Sequence, residues 1–300
     1  EKVYDGVSTG ITVTVTSKTV SGDIHTLVEN TDYTLTYQIA PANDPTHPTG
    51  EVLDENPTFI HAGTNVVWYY VQPIGGQETI FFPASNYQYV VITPRPLELE
   101  SLSRTWPYDG AAHSNNVIRI NSGSLANGDT LTTNTTATIM HVAESVKPNE
   151  FVWDIVSGDT SFTGNPKDDY TVTTIEGGLA ITPKPITIGG GTYPDDPALI
   201  QPYMDPETGE ILAGVKGADR TYDGIPTNIV VTVDDPGPGE YTVYYTTNYC
   251  GEATVWQTEP YLFTNVIETT VFYRVVPTGA NPEDYVPATG YAPVVVRPAP

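Results

Sequence analysis

The 300-residue chain has one cysteine, Cys250, and only 12 basic residues against 36 acidic ones. A single cysteine excludes an intrachain disulfide, so packed cores must hold the fold. No histidine neighbours Cys250 in sequence, which argues against a metal-binding or reactive thiol there. The net charge of −24 excludes nucleic acid and anionic membranes as partners, because both would be repelled. Leu and Ala are sparse outside a few short stretches, leaving little material for long helices. No apolar run reaches transmembrane length, and there is no signal peptide or lipidation motif, so no membrane insertion by this segment is expected.

What the chain does have is Thr, Val, Ile and 20 Tyr, punctuated by 26 Gly and 27 Pro. That is strand and turn material. A hydrophobic fraction of 39% is enough for packed cores.

Three copies of Tyr-Asp-Gly organise the sequence: Tyr4-Asp5-Gly6, Tyr108-Asp109-Gly110 and Tyr222-Asp223-Gly224. Their spacing is about one small domain. Each repeat also ends alike, on Ile92-Thr93-Pro94-Arg95-Pro96, Ile181-Thr182-Pro183-Lys184-Pro185 and Val295-Val296-Arg297-Pro298-Ala299-Pro300. A β-branched run followed by Pro-x-Pro reads as a last strand and a stiff exit. These signals divide the chain into 1–94, 95–183 and 184–300. The first repeat is expected to lack its opening strand, and the whole reads as a segment cut from a longer protein at repeat boundaries. Asp-Gly in the marker is expected to turn the chain, with glycine at positive φ and tyrosine at the core edge or at a domain joint.

Within each repeat the order is constant. A short alternating run (Ile11–Val15, Val117–Ile120, Ile229–Val233) precedes Asp32–Tyr37, Gly128–Leu131 or Glu240–Tyr245. An aromatic strand follows, and its two-residue period predicts that Trp68, Trp153 and Tyr273 face the core. A last turn carries Asn86-Tyr87, Asp169-Tyr170 or Asp284-Tyr285 before the closing strand. About seven short strands per ~100 residues is the sandwich pattern.

Two long loops stand out, 41–57 in the first repeat and an insertion at 189–217 in the third. Long loops on rigid sandwiches are where binding sits, and Tyr193 and Tyr203 are the candidate ligand contacts there. Ile211-Leu212-Ala213 reads as a short helix or a hairpin.

Catalytic signals are weak. Gly6-Val7-Ser8-Thr9-Gly10 matches the nucleophile-elbow pattern, but a strand rather than a helix should follow it. His25, His47, His61, His113 and His141 show no metal-ligand spacing. The acidic pairs Asp168-Asp169, Asp195-Asp196 and Asp234-Asp235 and the run 205–207 form no calcium loop motif, although a structural calcium is the one ion such loops could take. Six lysines without a repeated Asn partner argue against internal cross-links. Trp106 and Trp256 fall outside the aromatic strand and stay open as sugar-stacking candidates.

Taken in order, the Tyr-Asp-Gly marker, the Tyr-Thr-x-x-Tyr strand, the Thr-x-Tyr/Trp strand, the Asn/Asp-Tyr pair and the Ile-Thr-Pro-x-Pro exit resemble the tandem bacterial immunoglobulin-like repeats of the Tyr-Asp-Gly (MBG-type) class in large cell-surface proteins. The resemblance covers essentially the whole chain. It departs in the weak second strand of the middle repeat and in the insertion of the third. It implies an all-β fold of three tandem immunoglobulin-like β-sandwich domains in an elongated array. It also implies a secreted, surface-exposed stalk or adhesin segment with no catalytic residues and no cofactor, and the chain is expected to be a monomer. The alternative is an adhesive module that binds host glycan or extracellular protein through loops 41–57 and 189–217.

Overall fold

The structure is a computed structural model and describes residues 1–189, 203–205, 207–215 and 217–300. Among the described residues every regular element is a β-strand or a short 3-10 turn, and none is an α-helix. The chain packs as two compact units: Glu1–Leu102 with Asn116–Thr136 and Glu150–Gly177, and Ser103–Asn115 with Ala137–Asn149 and Gly178–Pro300. The second repeat of the sequence contributes strands to both.

The first unit contains a four-stranded sheet in the order Lys2–Val3, Ala84–Thr93, Gly63–Pro73, Tyr33–Ala40. Alternation along Tyr33–Ala40 sends Tyr33, Leu35 and Tyr37 inward, where they meet Val67, Val71, Val90 and Ile11. A three-stranded sheet (Tyr170–Ile175, Arg95–Ser101, Ile118–Gly123) and a two-stranded one (Thr130–Thr135, Phe151–Val156) follow. Leu97 and Leu99 from one meet Ile155 from the other in a single core, the face-to-face arrangement of a sandwich. Tyr4 and Ile92 belong to that same core. Burial therefore runs straight through Pro94, and no free linker separates the first repeat from the second.

In the second unit, Arg104–Pro107 and Lys147–Pro148 flank Gly178–Thr182 around a core of Ala137, Ile139, Leu179 and Ile181. The sheet of Tyr241–Thr246, Ile267–Pro277 and Ala288–Arg297 buries Tyr245, Val271, Tyr273, Val275 and Val294. Ile186, Ile229, Val231 and Val233 cover them from the opposite side.

The three aromatic-strand positions separate. Tyr273 is fully buried and Trp153 packs at the edge of the core that crosses Pro94. Trp68 instead points to the outer face of its sheet. The reason is register. Tyr37 pairs with Tyr69 as Tyr245 pairs with Tyr273, so Tyr69 is the true counterpart of Tyr273. Matching Trp68 to Tyr273 slips the strand by one residue, which exchanges the two faces. Asn86 and Tyr87 also differ from expectation: they lie inside the closing strand Ala84–Thr93, whereas Asp169 and Asp284 end 3-10 turns. The alternating run Ile11–Val15 buries Ile11 as expected but pairs in no ladder before Thr16–Lys18.

A quantitative consequence follows from the two faces. Tyr273→Ala should cost roughly 3–5 kcal/mol, as for other large core aromatics. Trp68→Ala should cost roughly 1–2 kcal/mol, since its ring is only partly buried. Guanidinium denaturation of the two variants would check this, and equal losses would return Trp68 to the core.

Candidate functional site

The Tyr-Asp-Gly marker has one local geometry in all three copies. Gly6, Gly110 and Gly224 sit at φ of 75°, 78° and 79°, a region open chiefly to glycine. The Oδ1 atoms of Asp5, Asp109 and Asp223 accept the amides of Val7, Ala111 and Ile225, each at 2.9 Å. This is an Asx turn. The tyrosine amide just before it donates to the last residue before Pro-x-Pro: Tyr4 to Thr93 at 2.9 Å, Tyr108 to Thr182 at 2.9 Å, Tyr222 to Arg297 at 2.8 Å. The turn thus places each tyrosine beside the exit of its own repeat.

What meets that tyrosine is the Asp-Tyr pair of the following repeat. Tyr4 is 1% exposed. Its ring lies edge-on to Tyr170, with centroids 5.5 Å apart. Asp129 Oδ2 accepts the hydroxyls of both Tyr4 (2.9 Å) and Tyr170 (2.6 Å). Beside them the Asp169 carboxylate, 2% exposed, accepts the Ala62 amide at 2.6 Å and pairs with His61 Nδ1 at 2.7 Å. His61 stacks on Phe162, centroids 3.4 Å apart, and reaches Asp159 at 3.3 Å. The Arg95 guanidinium, from the Pro-x-Pro exit itself, donates to the Tyr4 carbonyl at 3.2 Å.

The second unit repeats the arrangement. Tyr108 lies edge-on to Tyr285 at 5.5 Å. Asp284, 1% exposed, accepts the Val142 amide at 2.7 Å and pairs with His141 Nδ1 at 2.6 Å. Tyr285 donates to Asp235 at 2.9 Å, and Lys184 of the second exit forms an ion pair with the same carboxylate. A crevice of about 60 Å³ bounded by Tyr108, Glu240 and Tyr285 remains here, and Tyr108 is only half-buried. In the third repeat Tyr222 is 41% exposed.

Burial first, and then the hydrogen bond to Asp129 or Asp235, push the hydroxyls of Tyr4, Tyr170 and Tyr285 well above the usual tyrosine range. Asp235 is held below the usual carboxylate range, chiefly by Lys184.

The joint histidines were missed in the sequence because their partners are 108 and 143 residues away. The detectable signal was a repeated His-Ala/Val step, Phe59-Ile60-His61-Ala62 and Ile139-Met140-His141-Val142. Two of the acidic pairs considered for calcium are accounted for here, since Asp169 and Asp235 already have protein partners. Among the described residues no three His, Cys, Asp or Glu side chains converge on a metal-sized site. Ser8 is exposed in a loop with no helix after it. His113 stacks on Trp106 at 5.0 Å and pairs with Asp109 at 2.9 Å.

The described part of the insertion forms a hairpin, with Leu212 donating to Tyr203 and Asp205 to Glu210. Tyr203 packs on Phe272, centroids 4.4 Å apart, in a small aromatic core with Leu212, Tyr249 and Tyr291. A polar cavity of about 490 Å³ opens beside it, lined by Glu207, Glu210, Glu252, Trp256 and Arg274 among others. Tyr193 lies outside the described residues.

Asp169→Ala strands an amide and an imidazole at a buried site. It should cost roughly 2–4 kcal/mol, and Asp284→Ala should do the same in the second unit. Calorimetry would show this as a lower unfolding temperature, and an unchanged one would remove the aspartates from the joint. The tyrosines make a separate prediction. A folded pKa raised above the unfolded value of about 10 gives stability that is complete below pH 10 and lost as pH rises beyond it. The exposed tyrosines should ionise first in the folded protein, the remaining tyrosinate absorbance should appear together with unfolding above pH 10, and full titration of all 20 tyrosines with the fold retained would contradict it.

No family model and no curated protein matches the chain. Among solved structures it is similar to Drosophila N-cadherin EC1-3 (7% identity, TM-score 0.24, covering 91% of this chain and 92% of that one). It is similar to Drosophila N-cadherin EC1-4 at 12% identity and TM-score 0.23, covering 100% and 72%. It is also similar to SGBP-B of the Bacteroides ovatus mixed-linkage glucan utilization locus, solved with a mixed-linkage heptasaccharide (9% identity, TM-score 0.19, 99% and 65%). Likenesses of this size leave function to the chain's own geometry.

Proposed function

We propose that the chain is a non-enzymatic spacer, a stalk segment of a bacterial cell-surface protein built from three sandwich repeats at 1–94, 95–183 and 184–300. The observation that carries this reading is the joint used twice. In each unit a buried aspartate of one repeat is held by the backbone and histidine of the repeat before it. Two hydrogen bonds to one carboxylate specify direction as well as contact, which a purely apolar interface does not. The proline exits add covalent stiffness, since Pro94 and Pro183 are each followed at once by the next strand. Among the described residues no helix is long and apolar enough to cross a membrane, and an extracellular position suits an acidic chain whose joints need no disulfide.

Small-angle scattering of the whole chain tests the proposal. The expected result is a stiff, extended monomer, with flexibility appearing when Asp169→Ala and Asp284→Ala are combined. A compact particle, or a wild-type chain already as flexible as the double variant, would overturn it.

A further inference from the structure

The outer face of the first repeat's four-stranded sheet carries an aromatic surface that the joints do not use. Trp68 pairs across the sheet with Tyr87, ring centroids 5.9 Å apart, and Tyr87 lies 5.9 Å from Tyr89. Tyr70, two residues beyond Trp68, is 51% exposed and Tyr89 is 45% exposed. Residues two apart on a strand, and residues paired across strands, share one face, so these four rings look out together. Thr36 and Gln38 of the neighbouring strand sit opposite Tyr70 and Trp68. An open cleft of about 290 Å³ lies along Trp68 and Tyr70, lined also by Thr36, Gln38 and Val52 of the 41–57 loop, and Tyr87 and Tyr89 continue the aromatic face beyond it. The Trp68 indole N–H donates to the Pro45 carbonyl of the same loop, which fixes the partly buried ring.

The third repeat shows what this face is when it is not a surface. By register Trp68 corresponds to Phe272. Phe272 is 4% exposed and its cross-strand partner Tyr291 is 3% exposed, because Tyr203 and Leu212 of the insertion lie over them. Among the described residues the first repeat covers this face only in part: Val66 is buried and the 41–57 loop reaches Trp68, while Tyr70 and Tyr89 stay exposed. There the face carries Trp68, Tyr70, Tyr87 and Tyr89, with Gln38 and Thr36 opposite Trp68 and Tyr70.

We propose that this face is a binding platform for a neutral polysaccharide. Sugar rings present C–H faces that stack on aromatic rings, and hydroxyls that need donors and acceptors beside them. Trp68, Tyr87, Tyr89 and Tyr70 supply the first, and Gln38, Thr36 and the phenol hydroxyls supply the second. Charge selects the class. The face carries no basic side chain at these positions, and the loop that holds Trp68 exposes Asp44, Glu51, Asp54 and Glu55 against one imidazole, His47, which pairs with Asp44. With a net charge of −24 in addition, sulfated and uronic acid polymers are repelled.

Affinity electrophoresis of the whole chain tests this, in gels containing a neutral β-glucan, a galactomannan or heparin. The expected result is retardation by at least one neutral polymer and none by heparin. Trp68→Ala should weaken it about tenfold or more, the scale of losing an aromatic anchor. Tyr89→Ser should also weaken it. That position is 45% exposed and lies on the closing strand Ala84–Thr93 rather than in the 41–57 loop, and an unchanged unfolding temperature of this variant separates lost binding from lost folding. Trp256→Ala, in the other unit, should leave retardation unchanged. No retardation by either neutral polymer overturns the proposal, as does binding that survives both substitutions or that prefers heparin. Self-association in sedimentation that Tyr89→Ser abolishes would also overturn it, assigning the face to a second copy of the chain.

Discussion

One buried carboxylate at each joint is the constraint on which the rest of the structure depends. Asp169 and Asp284 are shut away from water, and a carboxylate in that position is tolerated only if protein donors replace its hydration. The donors come from the preceding repeat: one backbone amide and one imidazole each. The His61 and His141 loops must therefore be held in place, and the strands beside them with them. Hydrophobic contact between Tyr4 and Tyr170, or Tyr108 and Tyr285, adds area, but a pair of rings can slide where a carboxylate held at two oxygens cannot.

The covalent path and the noncovalent one converge on the same few residues. The exit Thr93-Pro94-Arg95 is bound by the Tyr4 amide on one side, and Arg95 opens the strand that pairs with Tyr170–Ile175 on the other. Lys184 does likewise, pairing in register with Tyr285. A proline between two paired residues has no N–H to lose and no φ freedom to spend. The shared core of Tyr4, Ile92, Leu97 and Tyr170 explains why compactness divides the second repeat across its middle and does not divide the chain at Pro94.

Much of this was legible in the sequence and some was not, for definite reasons. The all-β class followed from composition and period. The Tyr-Asp-Gly turn followed from glycine's need for positive φ, which all three copies show. The face of Trp68 was misread because a run of aromatics, Trp68-Tyr69-Tyr70, offers two registers one residue apart, and only cross-strand pairing with Tyr37 chooses between them. The joints were invisible for another reason. His61 and Asp169 are each unremarkable in their own segment, and unequal loops put His61 and His141 at different distances from their markers. Contacts of long sequence separation leave no local signature, so the aspartate pairs looked like solvated or calcium-binding loops.

Misreading that one face concealed the division of labour on a repeat. An antiparallel sheet has two faces, and only one is needed for the core. In the first repeat the inner face takes Tyr37, Val67 and Val71, and the edge near the exit takes the joint. The outer face is left for Trp68 and its neighbours. The third repeat spends that same face on its own hairpin, with Phe272 and Tyr291 buried beneath Tyr203 and Leu212. Because the joint takes only Ile92 from the inner face and leaves the outer face alone, a repeat can gain or lose an outer-face function without disturbing how it couples to the next. A chain of this kind can therefore combine uniform joints with surfaces that differ from repeat to repeat.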